Sequence, residues 1–194
     1  MVVMGIDAGY GRPGLSVVKF SGETWDHRQS KLLFSGFFET ERQSDKNTKV
    51  AVDDARRISE SCDWMRTKVL EHQPDVVVVE MPLSGAKSAL AIKGMAMAAG
   101  YTVALLTLMK ADLQFKVLYY SPYDTKRICT GNHHAEKEEM IKVAQETWPE
   151  VKFPLKKTRK NGVFTTHPGR SEAMADSLCA ILTHVRLNLG KPIL

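Results

Sequence analysis

The sequence predicts an α/β fold in which a mixed sheet of five strands, the first three antiparallel, is flanked by helices. Short apolar runs typical of strands occur at residues 2–6 and 76–79, and the second run is apolar at every position. A central strand covered on both faces has this composition. Residues 52–72 and 171–187 instead place apolar side chains at the spacing of a helix face.

Local patterns and helix breakers define the elements in order. Before residue 80, they predict strands at 2–6, 15–20 and within 31–40, a mobile loop at 41–49, a helix at 52–72 that Pro74 ends, and a strand at 76–79. Beyond it, they predict a buried helix at 88–99 that Gly100 ends, a strand and then a helix within 101–109, a strand at 117–120, helices at 123–128 and 135–148, an irregular basic stretch at 153–169 and a final helix at 171–187.

Composition limits the class of protein. A chain of 194 residues favours one domain, and a formal net charge of +5 with a pI near 9.1 leans slightly toward a polyanionic partner. Cys62, Cys129 and Cys179 are odd in number and lack metal-ligand spacing, which indicates reduced thiols of a cytosolic protein. Asp7 interrupts the first apolar run, and no apolar run reaches about 18 residues, so we expect neither a leader nor a membrane span.

Acidic residues occur where a buried environment makes them costly. Asp7 and Glu80 end the first and fourth predicted strands, and Glu172 and Asp176 lie on the final helix. Buried carboxylates need a cationic partner, and three segments that offer carboxylates to one place suit a pair of Mg²⁺ ions. The pattern therefore favours a two-metal phosphodiesterase. The alternatives are a turn-forming aspartate for Asp7, a solvated strand end for Glu80 and a first-turn, dipole-compensating acid for Glu172.

Four motifs in order carry a family resemblance. They are Gly5-Ile6-Asp7-Ala8-Gly9, Val78-Val79-Glu80, the Lys, Gly, Ala and Lys of residues 126–137, and the acidic helix at 175–184. Together they resemble the RuvC family of Holliday-junction resolvases, within the RNase H-like nuclease superfamily, in a divergent, phage- or organelle-like form. The chain departs from the family at Ala173, where many members have an acid or histidine. Glu172 shares a helix face with Asp176 and offers a substitute.

The resemblance implies a single RNase H-like nuclease domain over residues 1–194. It implies a homodimeric endodeoxyribonuclease of the cytoplasm, or of the host-cell cytoplasm for a phage protein, that resolves four-way or other branched DNA. Two Mg²⁺ ions, for which Mn²⁺ substitutes, would be bound by catalytic residues Asp7, Glu80, Glu172 and Asp176. The dimer follows from the need for two symmetric cuts, and the helix at 89–97 is a candidate interface, with core packing as the alternative.

DNA contacts are expected from three sets of residues. By the resemblance, Lys126 and Lys137 contact phosphates, and Leu83 is an apolar wedge in the segment after Glu80. The basic cluster consists of Lys156, Lys157, Arg159 and Lys160 and suits a sequence-independent backbone contact. The alternatives are solvated lysines, ordinary packing of Leu83 at a helix start, and a flexible solvated loop for the basic cluster.

Three other functions compete with junction resolution. A nuclease of the same fold could act on structured RNA, and a catalytically weak relative could only bind branched DNA. A sugar kinase of actin-like fold is a further alternative, because residues 5–11 could pass for a phosphate loop, but the chain is too short for two duplicated domains. His133, His134 and His167 suggest exposed or DNA-contacting roles rather than a metal site, and His184 a structural one.

Overall fold

The computed structural model describes residues 1–43, 48–82, 88–157 and 164–193. Its centre is a five-stranded sheet with the strand order β3-β2-β1-β4-β5, in which β1 to β3 are antiparallel and β4 and β5 run parallel to β1. The strands are β1 (Val2–Asp7), β2 (Gly14–Phe20), β3 (Ser30–Phe37), β4 (Val76–Glu80) and β5 (Lys116–Tyr120). The predicted mixed sheet with three antiparallel strands is confirmed.

Helices cover both faces of this sheet. They are α1 (Val50–His72), α2 (Ala89–Leu113), α3 (Pro122–Thr130), α4 (Lys137–Thr147) and α5 (Pro168–Leu187). In β4, Val77 and Val79 join the core under α1 and α2, whereas Val76 and Val78 join the core under α3, α4 and α5. Successive side chains of a strand point to opposite faces, so this division explains why β4 is apolar at every position.

Three predicted element boundaries were wrong, and the strand predicted within 101–109 is instead part of α2. Gly100 lies inside α2, because the surrounding alanine, leucine and methionine residues are strong helix formers that outweigh the roughly 1 kcal/mol cost of one glycine. The stretch at 153–169 contains a small antiparallel hairpin, β6 (Leu155–Lys157) and β7 (Phe164–Thr166), instead of being wholly irregular. The last helix begins at Pro168, which occupies the first turn where proline is tolerated.

Helix α2 is unusually apolar for its exposure. By length and composition alone it could cross a membrane, although only 22% of its most apolar 18-residue window is buried. Its buried stripe includes Ala98, Thr102, Leu106 and Met109, while Leu90, Ile92, Val103 and Leu108 are exposed. The prediction that the chain has no membrane span rested on the length of unbroken apolar runs, and Lys93 interrupts the run within this helix. Exposed apolar patches on folded proteins are typical of interaction surfaces.

The backbone of helix α5 lies in direct contact with the sheet, because two glycines of the sheet face it. A Cβ atom on Gly5 would overlap the carbonyl oxygen of Ser177, and a Cβ atom on Gly14 would overlap that of Ala173. Between these contacts, the hydroxyl oxygens of Ser16 and Ser177 are 2.7 Å apart, and Ser177 donates to the carbonyl of Met174 at 2.8 Å. The approach of α5 therefore depends on missing side chains and on buried hydroxyl pairs.

We predict that Gly5→Ala destabilises the protein by about 1–3 kcal/mol, the usual range for overpacking a core. The added methyl group meets a backbone carbonyl, so α5 itself must shift. Urea unfolding measures the difference. The matched control is Gly94→Ala, whose new methyl group would lie 3.5 Å from Tyr10 in ordinary contact. Equal free energies of unfolding for the two variants would contradict the close approach of α5.

Candidate active site

The first two acidic side chains are neighbours on adjacent strands. The parallel register of β1 and β4 pairs Asp7 with Glu80. Asp7 is two residues beyond Gly5, and Glu80 is two residues beyond Val78, so both side chains belong to the sheet face that α5 covers. Glu80 is only 7% exposed, and Asp7 is half-buried. The predicted meeting of these two strand ends is thus present in the structure.

Helix α5 adds two more carboxylates to the same place. Asp176 precedes Ser177, whose carbonyl lies against Gly5, and this contact brings Asp176 beside Asp7. Glu172 is one helical turn earlier on the same helix face. Because α5 begins at Pro168, its first turn contains no acid. The alternative of a first-turn, dipole-compensating role for Glu172 was therefore wrong.

The electrostatics of the site reflect the closeness of these carboxylates. Burial, together with the charges of Asp176 and Glu172, raises the pKa of Asp7 well above its usual value. Burial and the charges of Asp176 and Asp7 do the same to the pKa of Glu80. Burial and then Glu172 raise the pKa of Asp176 to about 7, against the opposing effect of Lys126 and Lys137. Holding the acids together therefore costs free energy when all are ionised.

Two lysines of the predicted DNA-contacting set belong to this site. Lys137 begins α4, and its Nζ donates a hydrogen bond of 2.6 Å to Oε2 of Glu172. Lys126 on α3 is near enough to oppose the rise in the pKa of Asp176. Their positive charges partly compensate the acids. Glu172 is thus engaged by an ammonium group rather than facing the other carboxylates alone.

The carboxylates fit a divalent cation by chemistry more than by their present arrangement. Among the described residues, no three His, Cys, Asp or Glu side chains are grouped so that they could hold a metal ion. Yet Oε2 of Glu80 is buried without a hydrogen-bond partner, and an orphaned buried oxygen of this kind costs free energy until a cation or donor meets it. Hard oxygen ligands of this type suit Mg²⁺ or Mn²⁺.

The site opens into a cleft with an acidic and a basic end. A cavity of about 470 Å³ is lined by Asp7, Glu172 and Asp176 and also by Arg12 and Arg57, and the part formed by the two arginines is called its basic end. The sequence reasoning missed both arginines. Arg12 lies in the turn directly after Asp7, a signal that could have found it. Arg57 lies on α1, 50 positions from Asp7 in the chain, so only the folded structure brings it here.

Several predicted contact residues are not located by the structure. Leu83, Arg159 and Lys160 lie outside the described residues, and Lys156 and Lys157 are described only as backbone of β6. The histidines are apart from the carboxylates: His167 caps α5 by accepting the backbone N–H of Arg170, and His133 packs on Tyr123. His184 packs edge-on against Trp25, with ring centroids 4.7 Å apart, as expected of a structural residue.

Comparison with protein families finds a match along most of the chain. Residues 3–147 match the family model described as Crossover junction endodeoxyribonuclease RuvC. Relatives with that same description include one from Rickettsia conorii, 29% identical over 141 residues that cover 73% of this chain and 78% of the relative. Another, from Brachyspira hyodysenteriae, is 26% identical over 143 residues, 74% of this chain and 78% of the relative. The family match ends before α5, so Glu172 and Asp176 lie beyond it.

Solved structures share the fold over the whole chain. Thermus thermophilus RuvC in complex with a Holliday junction substrate has a TM-score of 0.67 at 22% identity, and the alignment covers 100% of this chain and 99% of that one. The yeast mitochondrial Holliday junction resolvase Ydc2 has a TM-score of 0.60 at 14% identity, over 95% of this chain and 77% of that one. At these identities the similarity establishes the RNase H-like fold, and it includes α5.

We predict that the free energy of unfolding of the metal-free protein falls as the pH rises from about 4 to about 7. The Asp176→Asn variant should show a smaller fall. The pKa of Asp176 is about 7 in the folded protein and about 3.9 in an unfolded chain. In that interval the native state binds more protons than the unfolded state, so stability falls as pH rises. Chemical unfolding in EDTA at pH 5 and pH 7.5 measures the difference.

The matched control for this prediction is Glu146→Gln, an exposed acid of α4 outside the cleft, which should keep the wild-type pH dependence. Adding Mg²⁺ at pH 7.5 should stabilise the wild type and should stabilise Asp176→Asn less. A wild-type stability that rises from pH 5 to pH 7.5 in EDTA, in parallel with that of Asp176→Asn, would contradict the strained arrangement of the carboxylates.

Proposed function

Because the chain belongs to the RuvC family of crossover junction endodeoxyribonucleases, we propose that it resolves four-way DNA junctions with the carboxylates of Asp7, Glu80 and Asp176. The family is one of endodeoxyribonucleases that depend on divalent metal ions. One observation supports the residue assignment. Three buried or half-buried acids with raised pKa values, two at the carboxyl ends of β1 and β4 and one on α5, lie close together.

In this proposal, Asp7, Glu80 and Asp176 hold two Mg²⁺ ions, with Glu172 as a fourth ligand. When bound, such a pair of ions supplies a nucleophilic water at neutral pH and stabilises the leaving 3′-oxygen. The reaction is hydrolysis: the water oxygen forms a bond to phosphorus while the bond to the 3′-oxygen breaks. Cations bound there would favour the ionised carboxylates of Asp7, Glu80 and Asp176, whose pKa values are raised by burial and mutual repulsion in the metal-free protein.

Lys126 and Lys137 would stabilise negative charge at the scissile phosphate. For Lys137 this requires release from Glu172, which it contacts at 2.6 Å through an exposed ion pair. Ion pairs of this exposure are weak, typically below about 1 kcal/mol, so phosphate can compete for the lysine. Release of Lys137 and recruitment of Glu172 to a cation would then be one coupled event.

We propose further DNA contacts outside the carboxylate site. Leu83 would act at the junction centre, and the basic cluster of Lys156, Lys157, Arg159 and Lys160 would add affinity that does not depend on sequence. A single nuclease domain over residues 1–194 would both bind the junction and cut it. The free thiols of Cys62, Cys129 and Cys179 suit action in the cytoplasm.

Cleavage of a synthetic four-way junction tests the proposal. With Mg²⁺ we expect the wild type to cut the junction, and Asp7→Asn to cut it more than roughly 100-fold more slowly, because even changes in groups that only support metal ligands cost up to that much. Binding in EDTA should change less than tenfold, about 1.4 kcal/mol, since affinity comes mainly from basic residues.

The control variant is Asp63→Asn, an exposed acid of α1, which should cut at the wild-type rate. A four-way RNA junction and linear duplex DNA serve as control substrates. Equal or faster cutting of the RNA would favour the RNA-nuclease alternative. Binding of the DNA junction without any wild-type cutting would leave only the alternative of a branched-DNA-binding protein.

We also propose that the working form is a homodimer joined through the exposed face of α2. Two symmetric cuts across a junction call for two equivalent active sites, which a two-fold dimer supplies. On α2, the exposed Ile92, Ala96 and Val103 lie on one face of the helix, and the exposed Gly100 beside them leaves room for a second helix. An apolar stripe of this kind, on a helix with one buried side, suits a second copy of the same helix.

Charge placed on this stripe should dissociate the dimer. We expect the wild type to sediment as a dimer and the double variant Ile92→Glu, Val103→Glu to sediment as a monomer that retains its fold. Leu33→Glu, on the outer strand β3, introduces charge at another exposed apolar residue and should stay dimeric. A wild-type monomer, or a dimer that survives both charges on α2, would contradict this interface.

A further inference from the structure

The basic end of the active-site cleft contains an arginine whose charge is available for a ligand. Arg57 lines the 470 Å³ cavity together with Asp7 and Asp176. Its Nε donates to the hydroxyl of Thr40 at 2.9 Å, and its guanidinium lies over the ring of Tyr10, 4.5 Å from the ring centroid. Within the described part of the chain, neither terminal nitrogen of Arg57 forms an ion pair with a carboxylate.

The acids nearest to Arg57 on α1 already have other cationic partners. Asp54 accepts hydrogen bonds from Nζ of Lys93 and from the hydroxyl of Tyr10. Asp53 accepts one from Arg56 at 2.6 Å. Arg57 is therefore held in orientation by Thr40 and Tyr10; its charge also acts on Asp53 and Asp54, but in the described part of the chain neither carboxylate accepts a hydrogen bond from it. Arginine in such a setting can bind a phosphate through its two terminal nitrogens.

A second pair of arginines lies beside it. Glu39 accepts a hydrogen bond of 3.0 Å from Nε of Arg12 through one carboxylate oxygen and one of 2.9 Å from Nε of Arg170 through the other. One carboxylate thus holds two guanidinium groups, and one positive charge remains uncompensated. Counted together, Arg12, Arg57 and Arg170 with Glu39 leave a formal excess of two positive charges near the carboxylates of the cleft.

Glycines lie beside the guanidinium groups of Arg57 and Arg12 at the wall of the cleft. A Cβ atom on Gly11 would lie 2.6 Å from Nη2 of Arg57, and a Cβ atom on Gly169 would lie 2.7 Å from Nη1 of Arg12. Both glycines line the same cavity. One terminal nitrogen of each arginine thus packs against bare backbone at the cavity wall, where an alanine would push it aside, while Nη2 of Arg12 donates to Glu39.

We propose that Arg57, with Arg12 beside it, forms a phosphate-binding subsite for the cleaved DNA strand, next to the carboxylates that act on the scissile phosphate. The inference rests on the proposed nuclease function and adds a substrate contact to it. The subsite binds a backbone phosphate neighbouring the scissile one. Anchoring that neighbour sets the register of the strand, so that the scissile phosphate meets Asp7 and Asp176 in a reactive position.

The uncharged methylphosphonate is the probe for this contact. Four-way junctions would carry one methylphosphonate at successive positions on either side of the scissile phosphate, and cleavage would be measured with Mg²⁺. For the wild type, we expect one neighbouring position at which the substitution lowers kcat/KM by roughly tenfold. For Arg57→Gln, kcat/KM on the unmodified junction should already be roughly tenfold lower, and the same methylphosphonate should change it less than twofold.

Arg56→Gln is the matched control, because it removes the same charge from the adjacent residue of α1, which pairs with Asp53 and Glu60 outside the cleft. It should retain the full wild-type penalty at the sensitive position. Gly11→Ala keeps every charge but displaces Arg57, and it should lose the penalty as Arg57→Gln does. This second variant serves if Arg57→Gln fails to fold.

The outcomes separate the subsite from the nuclease function. If the wild type cuts junctions and Arg57→Gln keeps the wild-type pattern of methylphosphonate penalties, the subsite is overturned and the nuclease function stands. A wild type without a sensitive neighbouring position also overturns it. If the wild type cuts no junction, the nuclease function has failed and the subsite fails with it.

Discussion

The approach of α5 to β1 and β2 is the contact on which the site depends. Gly5 and Gly14 allow the backbone of α5 to touch the sheet, and the buried hydroxyls of Ser16 and Ser177 join the two. Asp176 is the residue before Ser177, so this contact sets its distance from Asp7. A larger residue at either glycine would separate the third carboxylate from the two that the strand register already pairs.

That arrangement is unfavourable in the absence of cations. Burial and mutual repulsion raise the pKa values of Asp7, Glu80 and Asp176, and one oxygen of Glu80 is buried without a partner. The ion pair of Lys137 with Glu172 compensates only at the exposed edge. If these residues bind a divalent cation, as proposed above, the cation would offset this repulsion and restore stability that the metal-free protein lacks.

Part of the candidate site could be predicted from the acidic residues at the ends of apolar strands. Asp7 and Glu80 end two apolar strands, and parallel neighbours bring such ends together, so the sequence alone predicted their meeting. The position of Glu172 was harder, because Pro168 reads as a break although it occupies the first turn of α5. Gly100 misled for a similar reason, since its neighbours outweigh one poor helix former. Arg57 could not be predicted, because its place in the cleft arises only from the packing of α1 against the β1–β2 turn.

Crystals grown with Mn²⁺ and a four-way junction, with Asp7 intact and data collected at the manganese absorption edge, would locate the ions directly. We expect two anomalous peaks roughly 3.5–4 Å apart, as in other two-metal sites, with Asp7 bridging them and Glu80 and Asp176 each bound to one. Glu172 should ligate one ion, with Lys137 moved to phosphate. Peaks located away from Asp7, or none between the ends of β1 and β4, would contradict the two-metal assignment.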